Sequence, residues 1–241
     1  MIRLIPSIFL LSIFFWFSIL SCTIAPEDQV MLDPPIPQDT LPFRYLALGD
    51  SYTIGESVCE ECAFPIQLLD TLKKTSGMQG IQKTIARTGW TTSNLISEIA
   101  SEKPDSNYNL VTLLIGVNNQ YQSKDFSIYE EEFPFLLNQA IAFAQGDCER
   151  VIVVSIPDYA FTPFGQNSSN TEKISQEIDQ YNAFAKSYAE SQDVFFQEIT
   201  DITRKGIAQP DLVASDGLHP SEEAYALFVE RLFARSYDLI K

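Results

Sequence analysis

The one histidine of the chain, His219, limits the nucleophilic chemistry that this protein can perform. A serine hydroxyl attacks a carbonyl efficiently only when a positioned base accepts its proton. Ser51 directly follows an apolar run, and Asp216 lies three residues before His219. A carboxylate there can hold the second ring nitrogen and stabilise the imidazolium that forms. The sequence therefore offers a nucleophile, an orienting acid and a base, in the order Ser51, Asp216 and His219.

Each of these segments also has an ordinary structural interpretation. Gly-Asp-Ser after a strand is usually a turn. The segment around His219 is also typical of a loop before a helix, with Pro220 near the first helical position and Ser221 or Asp216 as the cap. The catalytic interpretation gains weight from the combination and from two further positions.

Those positions are Gly89 and Asn118, each of which follows an apolar segment that is predicted to be a buried strand. Ligands bind at the carboxyl ends of the strands in open α/β sheets. A glycine N–H can approach a substrate oxygen closely, and an asparagine amide supplies a second donor. Together with the N–H of Ser51, they would give three donors to a developing oxyanion.

At these positions the sequence resembles the SGNH hydrolases, also called GDSL-type esterases and lipases. The serine, glycine, asparagine and histidine that define the family fall on Ser51, Gly89, Asn118 and His219. The resemblance implies a serine esterase that hydrolyses carboxylic esters through an acyl-enzyme, with Ser51, Asp216 and His219 as catalytic residues. It also implies an oxyanion hole of Ser51, Gly89 and Asn118.

The sequence departs from the family pattern at two places. Tyr52 replaces the leucine of the first block, and Asn119 stands where aspartate is common. Neither position carries the proton transfer, so the departures concern substrate specificity. Family members deacylate lipids, acetylated polysaccharides and small esters, and we expect a small-molecule or carbohydrate ester here. The aromatic loop of residues 156–165 is interpreted either as a wall of the site or as a packed Ω-loop.

Two other functions stay open at this point. The chain could be a non-catalytic, envelope-anchored binding module, although such a cleft has no need of a base opposite a serine. It could also be an acyltransferase that uses the same site and differs only in passing the acyl group to a sugar hydroxyl instead of water.

The elements that must position these residues alternate along the chain. Short apolar runs predict strands at 45–48, 81–86, 110–115, 151–156 and 194–197, whereas amphipathic stretches predict helices at 64–74, 92–102, 128–144, 171–192 and 221–237. Pro134 would kink the third helix or mark a restart. We therefore predict a three-layer α/β/α, flavodoxin-like domain with a parallel sheet of about five strands, which the family resemblance also implies. An α/β-hydrolase fold is disfavoured because no Gly-x-Ser-x-Gly motif occurs.

Composition agrees with one catalytic domain, assigned to residues 43–241. The chain has 241 residues, of which 45% are hydrophobic, enough for a single core. A net charge of −16 argues against nucleic acid, which requires a basic surface, and disfavours adhesion to anionic lipid. No cofactor and no metal are predicted, and a monomer is expected.

The N-terminal segment is interpreted as a targeting signal. Residues 1–22 combine Arg3 with an apolar run at 8–20 and end in Leu20-Ser21-Cys22, which is similar to a bacterial lipobox. Cys22 would then be lipidated. An ordinary cleaved signal peptide and an uncleaved anchor are the alternatives. Residues 23–42 are rich in proline and acidic residues and predict a tether. These features predict a protein of the bacterial cell envelope, on the periplasmic or outer-surface face, that meets the membrane only through its lipid anchor.

The remaining cysteines are Cys59, Cys62 and Cys148. An export signal favours a structural disulfide, either between Cys59 and Cys62 or between one of them and Cys148. Free thiols stay open, and redox catalysis is a weaker interpretation. Zinc is disfavoured because a single histidine and one distant cysteine supply too few additional ligands.

Overall fold

The computed structural model describes residues 41–241. Residues 1–40 lie outside the described residues, and with them Cys22, the expected signal peptide and most of the expected tether. Within residues 41–241, no helix is both long and apolar enough to cross a membrane.

A five-stranded sheet forms the centre of the domain. The strands are β1 (Phe43–Asp50), β2 (Gly80–Arg87), β3 (Leu110–Leu114), β4 (Val151–Val154) and β5 (Phe195–Gln197). Their order in the sheet is β2-β1-β3-β4-β5, and all neighbouring strands are parallel. The central strands are almost wholly buried and apolar, as expected where helices cover both faces. This order is the flavodoxin-like one, and the prediction of a three-layer α/β/α fold is confirmed.

Helices form the two outer layers. The helices of the described residues are α1 (Ser51–Ile54), α2 (Phe64–Ser76), α3 (Thr92–Glu102), α4 (Val117–Tyr121), α5 (Phe126–Phe143), α6 (Pro163–Gln166), α7 (Thr171–Ser191), α8 (Thr200–Thr203) and α9 (Glu222–Ile240). Helices α2 and α9 pack together on one face, whereas α5 contacts both α3 and α7 on the other.

Helix α5 does not restart at Pro134, which lies inside one helix that runs from Phe126 to Phe143. A proline inside a helix deprives the carbonyl four residues earlier of its donor. That residue is Glu130, which lies on the exposed side of the helix. The helix continues past the proline because its apolar face, which includes Phe133 and Leu137, is buried against the core.

The start of α9 bears out one part of the structural interpretation of this segment. Ser221 is the N-cap, as one of the two predicted alternatives, and its hydroxyl accepts the N–H of Ala224 at 3.2 Å. Pro220 was expected near the first helical position, and it lies just before the cap, where it pairs with Val213 in an isolated antiparallel bridge. The bridge closes the loop of residues 213–220, which carries His219.

Candidate active site

Three of the sequence-predicted site residues follow neighbouring strands of the sheet. Ser51 comes directly after β1, Gly89 after β2, and Asn118 after β3. Because β1 pairs with both β2 and β3 in parallel, the carboxyl ends of these strands meet at one edge of the sheet. The topology therefore brings Ser51, Gly89 and Asn118 to the same place.

Ser51 begins α1 without an intervening loop. Asp50 caps this short helix, and its Oδ1 accepts the N–H of Tyr52 at 3.0 Å. Only glycine fits at position 49, since a Cβ there would lie 2.1 Å from Thr53 Oγ1 and 2.4 Å from the carbonyl oxygen of Leu114. The close packing of this turn against β3 thus fixes where Ser51 lies.

His219 and Asp216 form a tight pair. The distance between His219 Nδ1 and Asp216 Oδ2 is 2.6 Å. Asp216 Oδ1 accepts the backbone N–H groups of Leu218 and His219 at 2.9 and 3.0 Å, and the Ser57 hydroxyl donates to Oδ2 at 2.8 Å. These four hydrogen bonds hold both oxygens of the Asp216 carboxylate in place.

The pKa of Asp216 reflects two opposing causes. Partial burial alone would raise it, but the hydrogen bonds from His219, from the two N–H groups and from Ser57 outweigh burial and lower the pKa to about 2. An ionised carboxylate only accepts hydrogen bonds, so His219 Nδ1 carries the proton of the pair. Nε2 of His219 is then left as the basic nitrogen.

One cavity of about 260 Å³ is lined by Ser51, Gly89, Asn118 and His219. Within the described residues, no hydrogen bond joins Ser51 to His219, and such bonds commonly tighten only when substrate binds. We call this space the catalytic cavity. Its walls also include four aromatic side chains, those of Tyr52, Tyr121, Tyr159 and Phe164.

The backbone at Gly89 is suited to present an N–H group. Its φ is +81°, a conformation that side-chain-bearing residues rarely adopt, although a Cβ would meet nothing within 4 Å. Conformation, not space, is therefore the reason for glycine here. The side-chain amide of Gln122 donates to the carbonyl oxygen of Gly89 at 2.9 Å and so holds the next peptide, between Gly89 and Trp90.

Asp50 is a site residue that the sequence reasoning treated only as part of a turn. It is fully buried, and Asn118 Nδ2 donates to its Oδ2 across a long 3.4 Å. Burial raises its pKa to about 7, while the hydrogen bonds from the Tyr52 N–H and the Asn118 amide oppose that rise. The sequence feature that could have identified Asp50 as a site residue is its position, as an acid between a predicted apolar strand and the predicted nucleophile.

Asn119, one of the two departures from the family pattern, makes hydrogen bonds that hold two helices together. It is fully buried, its Oδ1 accepts the N–H of Thr92 at 3.0 Å, and its Nδ2 donates to Thr92 Oγ1 at 2.7 Å. Thr92 Oγ1 in turn donates to Glu132. Asn119 thus ties α4 to the start of α3 and does not line the catalytic cavity.

The aromatic loop of residues 156–165 both packs and lines the site. Asp158 is fully buried, accepts the N–H of Ala160 at 3.0 Å and pairs with Arg204 at 2.9 Å. Tyr159 and Phe164 of the same loop face the catalytic cavity. The two interpretations offered by the sequence are therefore compatible.

The three cysteines of the described residues do not line this cavity. Cys59 and Cys62 form a disulfide with a Cα–Cα distance of 5.0 Å, in the segment between α1 and α2. Cys148 is half-buried and belongs to no disulfide among the described residues. In the same part of the chain, no group of three or more His, Cys, Asp or Glu side chains could hold a metal ion.

Comparison with known proteins gives a family and a fold. The model of the GDSL-like Lipase/Acylhydrolase family matches residues 47–227. No curated protein sequence matches the chain.

Solved structures similar to this one include three esterases or lipases. A lipase from a goat rumen metagenome is 17% identical with a TM-score of 0.64, covering 81% of this chain and 98% of its own. A member of the lipolytic G-D-S-L family from Veillonella parvula is 16% identical with a TM-score of 0.61, covering 80% and 97%. An acetylxylan esterase from Geobacillus stearothermophilus is 16% identical with a TM-score of 0.58, covering 82% and 96%. At these identities, the likeness concerns the fold.

Proposed function

Because the chain belongs to the GDSL-like lipase/acylhydrolase family, a family of ester-hydrolysing serine hydrolases, we propose that it hydrolyses carboxylic esters through an acyl-enzyme on Ser51. The observation that carries this proposal is the Asp216–His219 pair, with Nδ1 and Oδ2 2.6 Å apart, whose imidazole shares one cavity with Ser51. A protonated Nδ1 leaves Nε2 of His219 free to act as the base.

In the first half-reaction, His219 Nε2 takes the proton of Ser51 as Oγ attacks the ester carbonyl. The negative oxygen of the tetrahedral intermediate is stabilised by the N–H groups of Ser51 and Gly89 and by the amide of Asn118. The C–O bond to the alcohol then breaks, and the imidazolium gives its proton to the leaving oxygen. An acyl ester of Ser51 and a free alcohol result.

In the second half-reaction, His219 takes a proton from water, and the resulting oxygen nucleophile attacks the acyl carbonyl. The intermediate collapses, Ser51 leaves and recovers its proton from His219, and the carboxylic acid is released. Asp216 stays ionised throughout and stabilises each imidazolium.

The substrate that we propose is a small or carbohydrate ester. A net charge of −16 disfavours approach to anionic lipid surfaces. A catalytic cavity of about 260 Å³ is slightly below the usual range of small-molecule sites, which begins near ~300 Å³, and so favours a short acyl group. The acetylxylan esterase of similar fold is in keeping with this class.

The N-terminal assignment remains a proposal that rests on the sequence alone. Cys22 is lipidated, and residues 23–42 tether the domain, assigned to residues 43–241, to the bacterial cell envelope. Mass spectrometry of the protein from a bacterial membrane fraction tests this. A Cys22 that carries no lipid, or a Cys22→Ser chain that remains in the membrane, would contradict it.

The esterase proposal is tested by hydrolysis of p-nitrophenyl acetate and p-nitrophenyl octanoate by the full chain and by its Ser51→Ala variant. We expect turnover that falls at least ~10³-fold in the variant, with acetate preferred over octanoate. Fluorophosphonate labelling of Ser51 in the wild type checks independently that the serine is activated. Full activity in Ser51→Ala would exclude the proposed mechanism.

A further inference from the structure

A second cavity, of about 410 Å³, adjoins the catalytic cavity and has no part in the mechanism above. The two share three aromatic side chains, those of Tyr121, Tyr159 and Phe164. We call the second space the polar cavity, because most of its other walls are polar. They include Gln120, Asn167, Ser168, Asn170, Lys173 and Glu177.

The three shared rings form the boundary between the cavities. Their centroids are 5.8 Å apart for Tyr121–Tyr159, 6.1 Å for Tyr121–Phe164 and 6.5 Å for Tyr159–Phe164. Tyr121 and Phe164 are 54% and 39% exposed, which leaves much of both rings open to solvent. Exposed aromatic surface beside convergent polar groups is typical of a ligand site.

A chain of hydrogen bonds orders the polar wall from the aromatic boundary to α7. The Tyr159 hydroxyl donates to Gln120 Oε1 at 2.9 Å, and Gln120 Nε2 donates to Glu177 Oε2 at 2.8 Å. Glu177 Oε1 lies 3.5 Å from Lys173 Nζ. The buried Gln120 thus links the ring that faces the catalytic cavity to the charged pair on α7.

This chemistry fits a neutral polyol. The wall offers donors and acceptors together, and the charges of Lys173 and Glu177 cancel, so neither an anionic nor a cationic ligand is favoured. A sugar ring can place its C–H face against an aromatic ring while its hydroxyl groups reach amide and carboxylate side chains. The acyl chain of a lipid would instead displace the water around the remaining donors and acceptors of this wall and offer them no partner, which is costly.

We propose that the polar cavity binds the carbohydrate portion of an acylated sugar whose ester carbonyl lies at Ser51. The short acyl group occupies the catalytic cavity, and the sugar crosses Tyr121 and Phe164 to reach Gln120 and Glu177. This inference rests on the proposed esterase function and specifies its substrate class.

The test compares two kinds of acetyl ester on the full chain: p-nitrophenyl acetate, which has no sugar, and O-acetylated methyl glycosides of xylose, glucose and N-acetylglucosamine. The variant is Glu177→Leu, a half-exposed position on α7 that is outside the catalytic cavity. Glu190→Leu makes the same change at an exposed position of the same helix, outside both cavities, and serves as the matched control. Thermal melts verify that both variants fold.

We expect Glu177→Leu to raise KM for the preferred glycoside acetate by ~10-fold, the effect of losing a hydrogen bond to a charged group. Its kcat/KM on p-nitrophenyl acetate should stay within about twofold of wild type, as should both activities of Glu190→Leu.

Several results would overturn the inference. Glycoside KM could be unchanged in Glu177→Leu, or activity on both kinds of ester could fall in parallel. The variant could gain activity on p-nitrophenyl octanoate without losing glycoside activity, which would identify an acyl-chain site. Ser51-dependent hydrolysis of p-nitrophenyl acetate with no glycoside activity would overturn the inference while the esterase proposal stands. No activity on either kind of ester would remove both.

Discussion

The two halves of the candidate site are held in place by different means. Ser51 follows a buried central strand directly, and the packing around Gly49, two residues earlier, leaves no room for a side chain at that position. His219 lies instead in the loop of residues 213–220, which one isolated bridge closes and which Ser57 contacts through Asp216. The nucleophile is therefore fixed by the core, whereas the base, although buried itself, is fixed by a small number of exposed or partly buried hydrogen bonds.

This difference separates stability from activity. Changes on the strand side should alter packing or buried charge as well as rate, because those residues are part of the core. Changes in the His219 loop should alter rate more than the free energy of unfolding. Three substitutions, taken from the largest expected effect on rate to the smallest, test that separation.

Asp216→Asn is expected to lower kcat by ~10⁴-fold, because an amide can donate to Nδ1 and so favour the wrong tautomer of His219. The free energy of unfolding at pH 7 should also fall, because the lowered pKa of Asp216 means that its ionised form stabilises the fold at this pH, but by less than the activation free energy rises, since the side chain is partly exposed. Steady-state kinetics measures kcat, and urea unfolding measures the free energy of unfolding. A variant that loses activity because it no longer folds would show that the loop is part of the core after all.

Asp50→Asn tests the strand side, and we expect a loss of ~10-fold in kcat. The variant keeps an oxygen for the Tyr52 N–H but places an amide where Asn118 needs an acceptor, so one oxyanion donor is misoriented. Such a donor is worth up to ~10²–10³-fold when it is removed entirely.

The stability of Asp50→Asn should differ from wild type in a pH-dependent way. Burial raises the pKa of Asp50 from its ordinary value of 3.8 to about 7, so between these values the folded protein keeps a proton that the unfolded chain has lost. Wild-type stability therefore falls as pH rises through this window, and the variant lacks that fall. Urea unfolding at pH 4.5 and pH 7.5 should show its relative stability increasing with pH. If the stabilities of the variant and the wild type changed in parallel with pH, the pKa of Asp50 would not be raised in the folded protein.

Ser57→Ala should have the smallest effect, a few-fold loss in kcat with the free energy of unfolding within ~0.5 kcal/mol of wild type. It removes one exposed hydrogen bond to Asp216, whereas the bonds from Leu218 and His219 remain. Ser101→Ala, at an exposed position in α3, is the control. A loss as large as that of Asp216→Asn would mean that Ser57 dominates the placement of the carboxylate.

The sequence predicted those parts of the fold that depend on local patterns. Helix α3 has the predicted limits of 92 and 102, since its apolar spacing is clear and Thr91 and Asn94 form a capping box at its start. The central strands were recognisable because strands buried on both faces are continuous apolar runs. The sequence could not decide between a kink and a restart at Pro134 and did not predict the Val213–Pro220 bridge, because the packing of α5 and the bridge are tertiary features.

The same distinction applies to the site. Residue types and strand ends were enough to propose Ser51, Gly89, Asn118 and His219, which line one cavity. The contact between Asp50 and Asn118 and the polar wall built from Gln120 and Glu177 could not be predicted, since each joins residues that are distant in the chain. Only the folded arrangement gives such side chains a common environment.

The single histidine has a consequence for spectroscopy. Because the whole chain contains one imidazole, every imidazole resonance in a magnetic resonance spectrum belongs to His219, without isotope labelling of selected residues or assignment by mutation. The 2.6 Å contact of its Nδ1 with Asp216 places that proton in a short, charge-assisted hydrogen bond, where proton signals are shifted far downfield. The protein thus carries its own reporter at the proposed base, readable during turnover.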